Sequence, residues 1–436
     1  MRIGTRRWDG AGVEALATRL GAGAIDPLAI SADVAAVVEQ VRSGGDAALL
    51  EIGERFDGAR PCSLWIERPE LEAAAAALGA DLRAALDVAA ANIRIVAEAQ
   101  LDHGGDRVVE LPQGHTVSIR QVPVGSAAIY APGGRAPYPS SVLMGVVPAR
   151  VAGVERVAVA SPPRSEGLPH PTVLAAAAVA GADRVLTAGG AQAIAALAHG
   201  TESVEPVDVI AGPGGPWVQE AKLQVSRQVG IDGYAGPSEL MIICDGIAAV
   251  EPLALDLCAQ AEHGPDSPLL VASPDAAALE RIGAAVARVA AERPSVTDAA
   301  VELVETPSLA AAAELGRALA PEHLQIACEG ASELAHAVPT AGCIFIGPQG
   351  ATAFGDYAAG SNHTLPTGRT GRFTGPLGPG TFMRPISEVR IDADSAAALA
   401  GPVDAIARAE GFPVHGESAR ARSRGSEASG PPEQAS

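Results

Sequence analysis

Three short stretches decide the fold: "RVAVASPP" at 156–163, "RVLTAGG" at 184–190 and "VDVIAGPGG" at 207–215. Each is an apolar run that ends in Gly or Pro, and an Ala-rich helical segment separates it from the next. Strand-length runs without polar alternation belong to a sheet covered on both faces, as in parallel β-α-β layers. "SELMIICDG" at 238–246 and "SPLLVASP" at 267–274 repeat the form after "YAGP" at 234–237, and "GCIFIGP" at 342–348 follows a helical segment. The reading is two α/β layers joined by crossings of the chain, with helices at both ends.

Upstream, "SADVAAVVEQVRSGGDAALLEIGERFDG" at 31–58 has apolar residues at three- and four-residue spacing, with Ser31 as its cap and Gly breaks behind. The helical pattern continues to about Gln100. "RVVELPQGHTVSIRQVPVGSAAIYAP" at 107–132 then reads as a strand, a Pro-Gln-Gly turn and another strand.

The chain has 436 residues, enough for several domains and a large core, and 48% of them are hydrophobic, as in a globular protein. Thirty-one basic against 51 acidic residues give a formal charge of −20, which excludes the basic footprint of a nucleic-acid binder. No apolar run is long enough to span a bilayer, and the start lacks the apolar core of a secretory signal, so the expectation is a cytoplasmic protein. Five scattered cysteines with no C-x-x-C pair point to free thiols, not a disulfide frame or a Cys-based zinc site.

Four Gly-rich loops carry the first chemical signal: "YAPGGRAPYPSS" at 130–141, "TAGGAQAI" at 187–194, "AGPGGPWVQEAK" at 211–222 and "YAGPSEL" at 234–240. At the carboxyl ends of doubly wound strands such loops bind extended, phosphate-bearing ligands through amides at helix starts. "GPGGPW" has Trp217 where the third Gly of G-x-G-x-x-G belongs, so the dinucleotide fingerprint is absent.

The second signal is "DLCAQAEHGPDSP" at 256–268, where a helix ends at Gly-Pro with Gln260 and His263 three residues apart and hence on one face. Gln-x-x-His alone fits either a hydrogen-bonded helix end or two metal donors. His263, His323, His363 and His415 each have an acid or amide near in sequence, respectively Gln260, Glu322, Asp356 and Glu410. A mixed set of imidazole, carboxylate and amide oxygen suits zinc or another borderline divalent ion. Third, "APEHLQI" at 320–326 places Glu322 beside His323 just after a proline, at a short helix or turn. The pair supplies two bases of different strength, suited to deprotonating an alcohol and activating water. A capped turn with a solvated Glu is the other reading.

Taken in order, "YAPGGRAPYPSSVLMGVVPARVAGV" (130–154), "GGAQAIAALAHGTESV" (189–204), "AGPSE" (235–239), "AQAEHGPDS" (259–267), "PEHLQI" (321–326), "GDYAAGSNHTLPT" (355–367) and "EGFPVHGES" (410–418) resemble the histidinol dehydrogenase family from about Asp33 to Arg422. The resemblance implies a zinc-dependent, four-electron oxidation of L-histidinol to L-histidine by two NAD, with one zinc per subunit of a homodimer that shares its active sites. It implies Gln260, His263, Asp356 and a partner subunit's His415 as zinc ligands, and Glu322 and His323 as the catalytic pair. Ser238, His363 and Glu410 match substrate contacts, joined there by Gln260, His263, His323, Asp356 and His415. Tyr130, Gln192 and Gly215 match cofactor contacts. Gly215 departs from the family, which commonly has Asn there; one lost hydrogen bond costs about 0.5–1.5 kcal/mol.

The expected fold is α/β: two Rossmann-like parallel-sheet domains without the glycine fingerprint, plus small helical N- and C-terminal extensions that mediate dimerisation. The expected partition joins 25–128 with 238–376, keeps 129–237 as a second α/β domain, and joins 1–24 with 377–401. An arm at 402–422 and a disordered tail at 423–436 complete it. The nearest alternative is a paralogous zinc- and NAD-dependent dehydrogenase of another amino or sulfonated alcohol. A non-catalytic scaffold is disfavoured, because every catalytic position is filled.

Overall fold

The structure is a computed structural model and describes residues 1–21, 29–102, 106–134 and 136–423. The expected tail beyond Ser423 lies outside the described residues. The chain divides into two units: Met1–Gln100 with Val124–Phe382, and Leu101–Pro123 with Met383–Ser436.

In chain order the strands are β1 (Arg2–Arg7), β2 (Trp65–Ile66), β3 (Arg107–Glu110), β4 (Thr116–Pro123), β5 (Ser126–Tyr130), β6 (Arg156–Ser161), β7 (Arg184–Thr187), β8 (Val209–Ala211), β9 (Gly230–Ile231), β10 (Leu240–Cys244), β11 (Leu269–Ser273), β12 (Ala300–Glu305), β13 (His323–Ala327), β14 (Cys343–Ile346) and β15 (Met383–Arg390). The first unit holds two six-stranded sheets, ordered β2-β7-β6-β5-β8-β9 and β1-β12-β11-β10-β13-β14. All their pairs are parallel except β2 with β7. From β5 and again from β10, five successive strands take the spatial order third, second, first, fourth, fifth. Both sheets are therefore doubly wound, and the strand order reverses between β5 and β8 in one and between β10 and β13 in the other.

The sequence explains the layers. β5, β10 and β11 are buried at every position, as their unbroken small and aliphatic runs require. Helix Pro139–Val151 packs so closely on β5 that a Cβ at Gly145 would lie 2.3 Å from Ile129 Cγ2. The long helix Ser31–Asp57 sends Val34, Val37, Val41, Leu49 and Ile52 into the core of the β5 sheet, beside Ile194, Leu197 and Ile210. Each such side chain contributes roughly 1.5–3 kcal/mol of burial free energy.

Two local expectations are corrected. The helix beginning at Ser31 has Ile30, not Ser31, at its cap position, and the Ser31 hydroxyl instead donates to Glu220 Oε1 at 2.6 Å. The strand expected across 115–132 breaks at Pro123–Gly125, so β4 pairs with β15 and β3 while β5 enters the β2–β9 sheet. Residues 2–7 pair with β12, and helix Ser31–Asp57 packs on the β5 sheet. The second unit combines an antiparallel β15-β4-β3 sheet with helices Ala393–Ala409 and Pro413–Ser423. Among the described residues no helix is long and apolar enough to cross a membrane.

Candidate active site

A cavity of about 530 Å³ opens in the first unit. One wall lies at the carboxyl ends of β5 and β8, where Tyr130, Gly133, Gly134 and the Pro213–Pro216 turn line it. That is the point where the strand order of this sheet reverses, the place where doubly wound sheets bind ligands. The opposite wall is at the amino ends of the other sheet: Ser238 before β10, Ser267 before β11, and Glu322 and His323 at the start of β13. His263, Asp356, Tyr357 and His363 close it. Of the four glycine loops, "YAGPSEL" therefore lies at an amino end, not at the carboxyl end expected.

Glu322 and His323 are not in a solvated turn. Both are buried, and His323 opens β13, a strand flanked by β10 and β14. Glu322 Oε2 accepts from the Ser238 hydroxyl at 2.7 Å and from the Glu239 amide at 2.8 Å. His323 Nδ1 lies 3.0 Å from the Glu239 carbonyl and 3.3 Å from Glu322 Oε2, while Nε2 lies 3.4 Å from Asp356 Oδ1. Nδ1 donates to the carbonyl, so in the neutral ring Nε2 is the nitrogen able to accept a proton. Burial opposes charging of His323, but Glu322 and Asp356 outweigh it and hold the imidazole well above its ordinary pKa. Burial likewise pushes Asp356 up, and the hydrogen bond and charge of His323, with the charges of His363 and His263, carry it net below its ordinary value.

Asp356 comes from the short helix Thr352–Tyr357, and its carbonyl meets His363 Nδ1 at 2.8 Å. His363 Nε2 reaches the Ser141 hydroxyl at 3.1 Å, and burial lowers the pKa of this imidazole. Gln260 is buried in the last turn of helix Val250–Ala261 and bonds through Nε2 to the Ser238 hydroxyl. His263 stands just past that helix and lines the cavity. Among the described residues no three His, Cys, Asp or Glu side chains form a metal-holding group by themselves. The implied donors contain only two such residues in this unit, His263 and Asp356, with Gln260 bonded to the wall beside them. An imidazole, a carboxylate and an amide oxygen nonetheless form a set with the chemistry of a zinc site.

On the β5–β8 wall, Tyr130 lines the cavity and its hydroxyl accepts from the Gly190 amide at 3.0 Å. Gln192 is buried off the cavity and bonds Asp57 Oδ2 at 3.4 Å. Burial raises the Asp57 carboxyl to about 6, against the hydrogen bonds of Gln192 and the Gly189 amide. The amides of Gly189 and Gly190 are thus engaged within the protein, contrary to the expectation that this loop offers them to a phosphate. Gly215, at the cap of helix Pro216–Val225, lines the cavity, and nothing lies within 4 Å of where its Cβ would be. The cavity thus has open space beside Tyr130 and Gly215.

Glu410 and His415 belong to the second unit. Glu410 ends helix Ala393–Ala409, and His415 is exposed on helix Pro413–Ser423 with its ring 5.7 Å from that of Phe412. Sequence reasoning missed Glu239, which meets Glu322 and His323, and Ser141, which meets His363 on the cavity wall. An acid immediately after Ser238, and the Ser-Ser of "PYPSS", were the signals available.

The histidinol dehydrogenase family model matches residues 23–423. A histidinol dehydrogenase of Parasynechococcus marenigrum is 44% identical over 392 residues, covering 88% of this chain and 89% of that protein. One from Haloarcula marismortui is 43% identical over 401 residues, covering 90% and 94%. The crystal structure of histidinol dehydrogenase from Elizabethkingia anophelis superposes with a TM-score of 0.88 at 29% identity, covering 97% of this chain and 98% of that one. A cavity at a strand-order reversal, faced by a buried Glu-His pair, together with likeness over nearly the whole length, leads to one conclusion: the chain belongs to the histidinol dehydrogenase family of oxidoreductases.

Proposed function

We propose that this chain oxidises L-histidinol through histidinal to L-histidine, the last step of histidine biosynthesis, using two NAD and one zinc per subunit. The observation that carries the reading is the buried Glu322–His323 pair facing, across one cavity, the loops at the β5–β8 reversal.

NAD would supply the hydride acceptor, with Tyr130 and Gly215 on its side of the cavity and Gln192 buried behind them. Zinc would anchor the amino and imidazole groups of the substrate, held by Gln260, His263, Asp356 and a partner subunit's His415. Ser238, His363 and Glu410 would complete the substrate contacts. Holding the reacting carbon still supplies several kcal/mol of barrier reduction.

His323 takes the alcohol proton at Nε2 in the first oxidation. Glu322 has one carboxylate oxygen fixed by Ser238 and the Glu239 amide, and its other oxygen takes a proton from the water that attacks the aldehyde. After releasing the first proton to solvent, His323 acts again at Nε2 on the resulting hydrate. The walls of the cavity keep the aldehyde beside the pair between the two steps.

The homodimer follows from the same reading: exposed Ile406, Phe412 and Val414 accompany His415 on the helical arm, an apolar surface suited to a second subunit. A cytoplasmic location accords with a soluble biosynthetic reaction. The test is NADH formation by the purified protein with L-histidinol against other amino and sulfonated alcohols. A kcat/KM for any competitor equal to or above that for L-histidinol refutes the assigned substrate.

A further inference from the structure

Glu239 has a backbone amide, a carbonyl and a carboxylate, and all three are directed at the start of β13. Its amide donates to Glu322 Oε2 at 2.8 Å. Its own Oε2 accepts from the Glu322 amide at 3.2 Å, so the two glutamates each hold the other's backbone N–H. Its carbonyl accepts from the His323 amide at 3.2 Å and lies 3.0 Å from His323 Nδ1. The second carboxylate oxygen accepts from the Gly368 amide at 2.8 Å.

The register explains the exchange. β10 and β13 are parallel neighbours with Leu240 opposite His323, so residues 239 and 322 stand just where the regular ladder runs out. At that edge an amide needs a new acceptor, and each carboxylate supplies one for the other strand. Burial pushes the Glu239 carboxyl up to about 7, against the pull of the Gly368 amide, with the charge of Glu322 adding to the rise. An acid kept in such a setting, behind the pair and off the cavity lining, has positioning as its evident use.

We propose that Glu239 is a positioning residue for the oxidation: it fixes the backbone of Glu322 through its carboxylate, the Glu322 side chain through its amide, and the tautomer of His323 through its carbonyl. The proposal rests on the assignment of Glu322 and His323 as the reacting pair. The carbonyl and amide bonds survive substitution, so the side-chain part of the claim is the part a variant can isolate.

In Glu239→Gln the amide nitrogen cannot accept, and one of the two backbone tethers is lost. In Glu239→Asp both acceptors remain on a shorter stem. For Glu239→Gln we expect kcat for L-histidinol to fall about tenfold or more, as misplacement of a reacting group by a fraction of an ångström does, with both KM values within about threefold of the parent. Glu239→Asp should recover part of kcat. A merely structural role would lower the amount of folded enzyme and leave the turnover of the folded fraction, measured by active-site titration, unchanged. Turnover per folded site within about twofold of the parent, or a fall in kcat matched by the rise in KM, overturns the proposal. If Glu239→Gln does not fold, Glu239→Asp is read by the same criteria. A parent enzyme that does not oxidise L-histidinol overturns the substrate assignment and this proposal with it; an active parent with an unimpaired variant overturns the proposal alone.

Discussion

Replacing Gly215 by Asn should improve this enzyme's grip on NAD. The resemblance implies Asn at this position, and the structure states what a side chain there would meet. Gly215 has φ −64° and ψ 173°, ordinary extended backbone that any residue adopts, so Asn introduces no strain. Nothing lies within 4 Å of the Cβ position, and the residue lines the cavity beside Tyr130. It also occupies the cap of helix Pro216–Val225, which has no side-chain cap bond at present. Asn is a preferred cap residue and exceeds Gly there by a few tenths of a kcal/mol, so the fold gains slightly or is unchanged. One new hydrogen bond to the cofactor, worth about 0.5–1.5 kcal/mol, corresponds to roughly a two- to twelvefold lower KM for NAD. The assay is steady-state NADH formation with NAD varied at saturating L-histidinol, alongside a urea melt of both proteins. A KM for NAD that is unchanged or higher, in a variant as stable as the parent, would refute the placing of the cofactor at this loop.

Other consequences follow from the same geometry. His323→Asn should impair both oxidations, whereas Glu322→Gln should mainly impair turnover of histidinal, each by about 10²–10⁴-fold; assaying the alcohol and the aldehyde separately checks this, and equal losses in the Glu322 variant would remove the division of labour. Prolonged dialysis against a chelator should abolish turnover and zinc should restore it, with His415→Ala weakening zinc retention measured by elemental analysis; full activity in demonstrably metal-free protein would contradict the ligand set. Lys222 and Asp232 form a buried ion pair that brackets Gly212, Lys222 Nζ donating to its carbonyl at 3.0 Å and Asp232 Oδ2 accepting from its amide at 2.7 Å. Lys222→Met should cost about 3–5 kcal/mol in urea unfolding by stranding the carboxylate, and Lys222→Met with Asp232→Leu should recover part of it. Glu239 binds its proton more tightly folded than unfolded, its carboxyl rising from 4.5 to about 7. Its stabilisation is therefore full at low pH and lost as pH rises through about 7, so the parent should lose stability relative to Glu239→Gln over that window; a constant difference in urea midpoint would contradict the shift.

The layered fold was legible because buried parallel strands write themselves as unbroken apolar runs, as β6, β7, β8, β10 and β11 do. β13 was not, because it opens at His323 directly after Glu322, and Pro321 before them imitates a helix start. The burial of these polar groups depends on β10 and β14 on either side, which sequence spacing does not express. β1 was hidden for a related reason: "RIGTRR" is polar and mostly exposed, and it becomes a strand only through pairing with β12. The identical strand order of the two sheets also left no mark, since repetition of topology needs no repetition of side chains.

The site was legible mainly as a set of motifs. Ordered strings such as "AQAEHGPDS" and "PEHLQI" named the residues, and physics alone would have left Gln260 and His263 as a helix end. The structure brings Ser238, Glu322, His323, Asp356, His363 and His263 to one cavity and ties Gln260 to Ser238. Glu239 escaped notice because its function lies in backbone bonds across strands, a relation that no spacing within one segment reveals.

The claim on which the account depends is that one cavity performs both oxidations without releasing the aldehyde. The direct measurement is the ratio of NADH formed to L-histidinol consumed, taken to completion with an aldehyde-trapping amine present. The account requires two NADH per L-histidinol with L-histidine as product and no trapped aldehyde. One NADH per L-histidinol, with the aldehyde recovered in the trap, would contradict it.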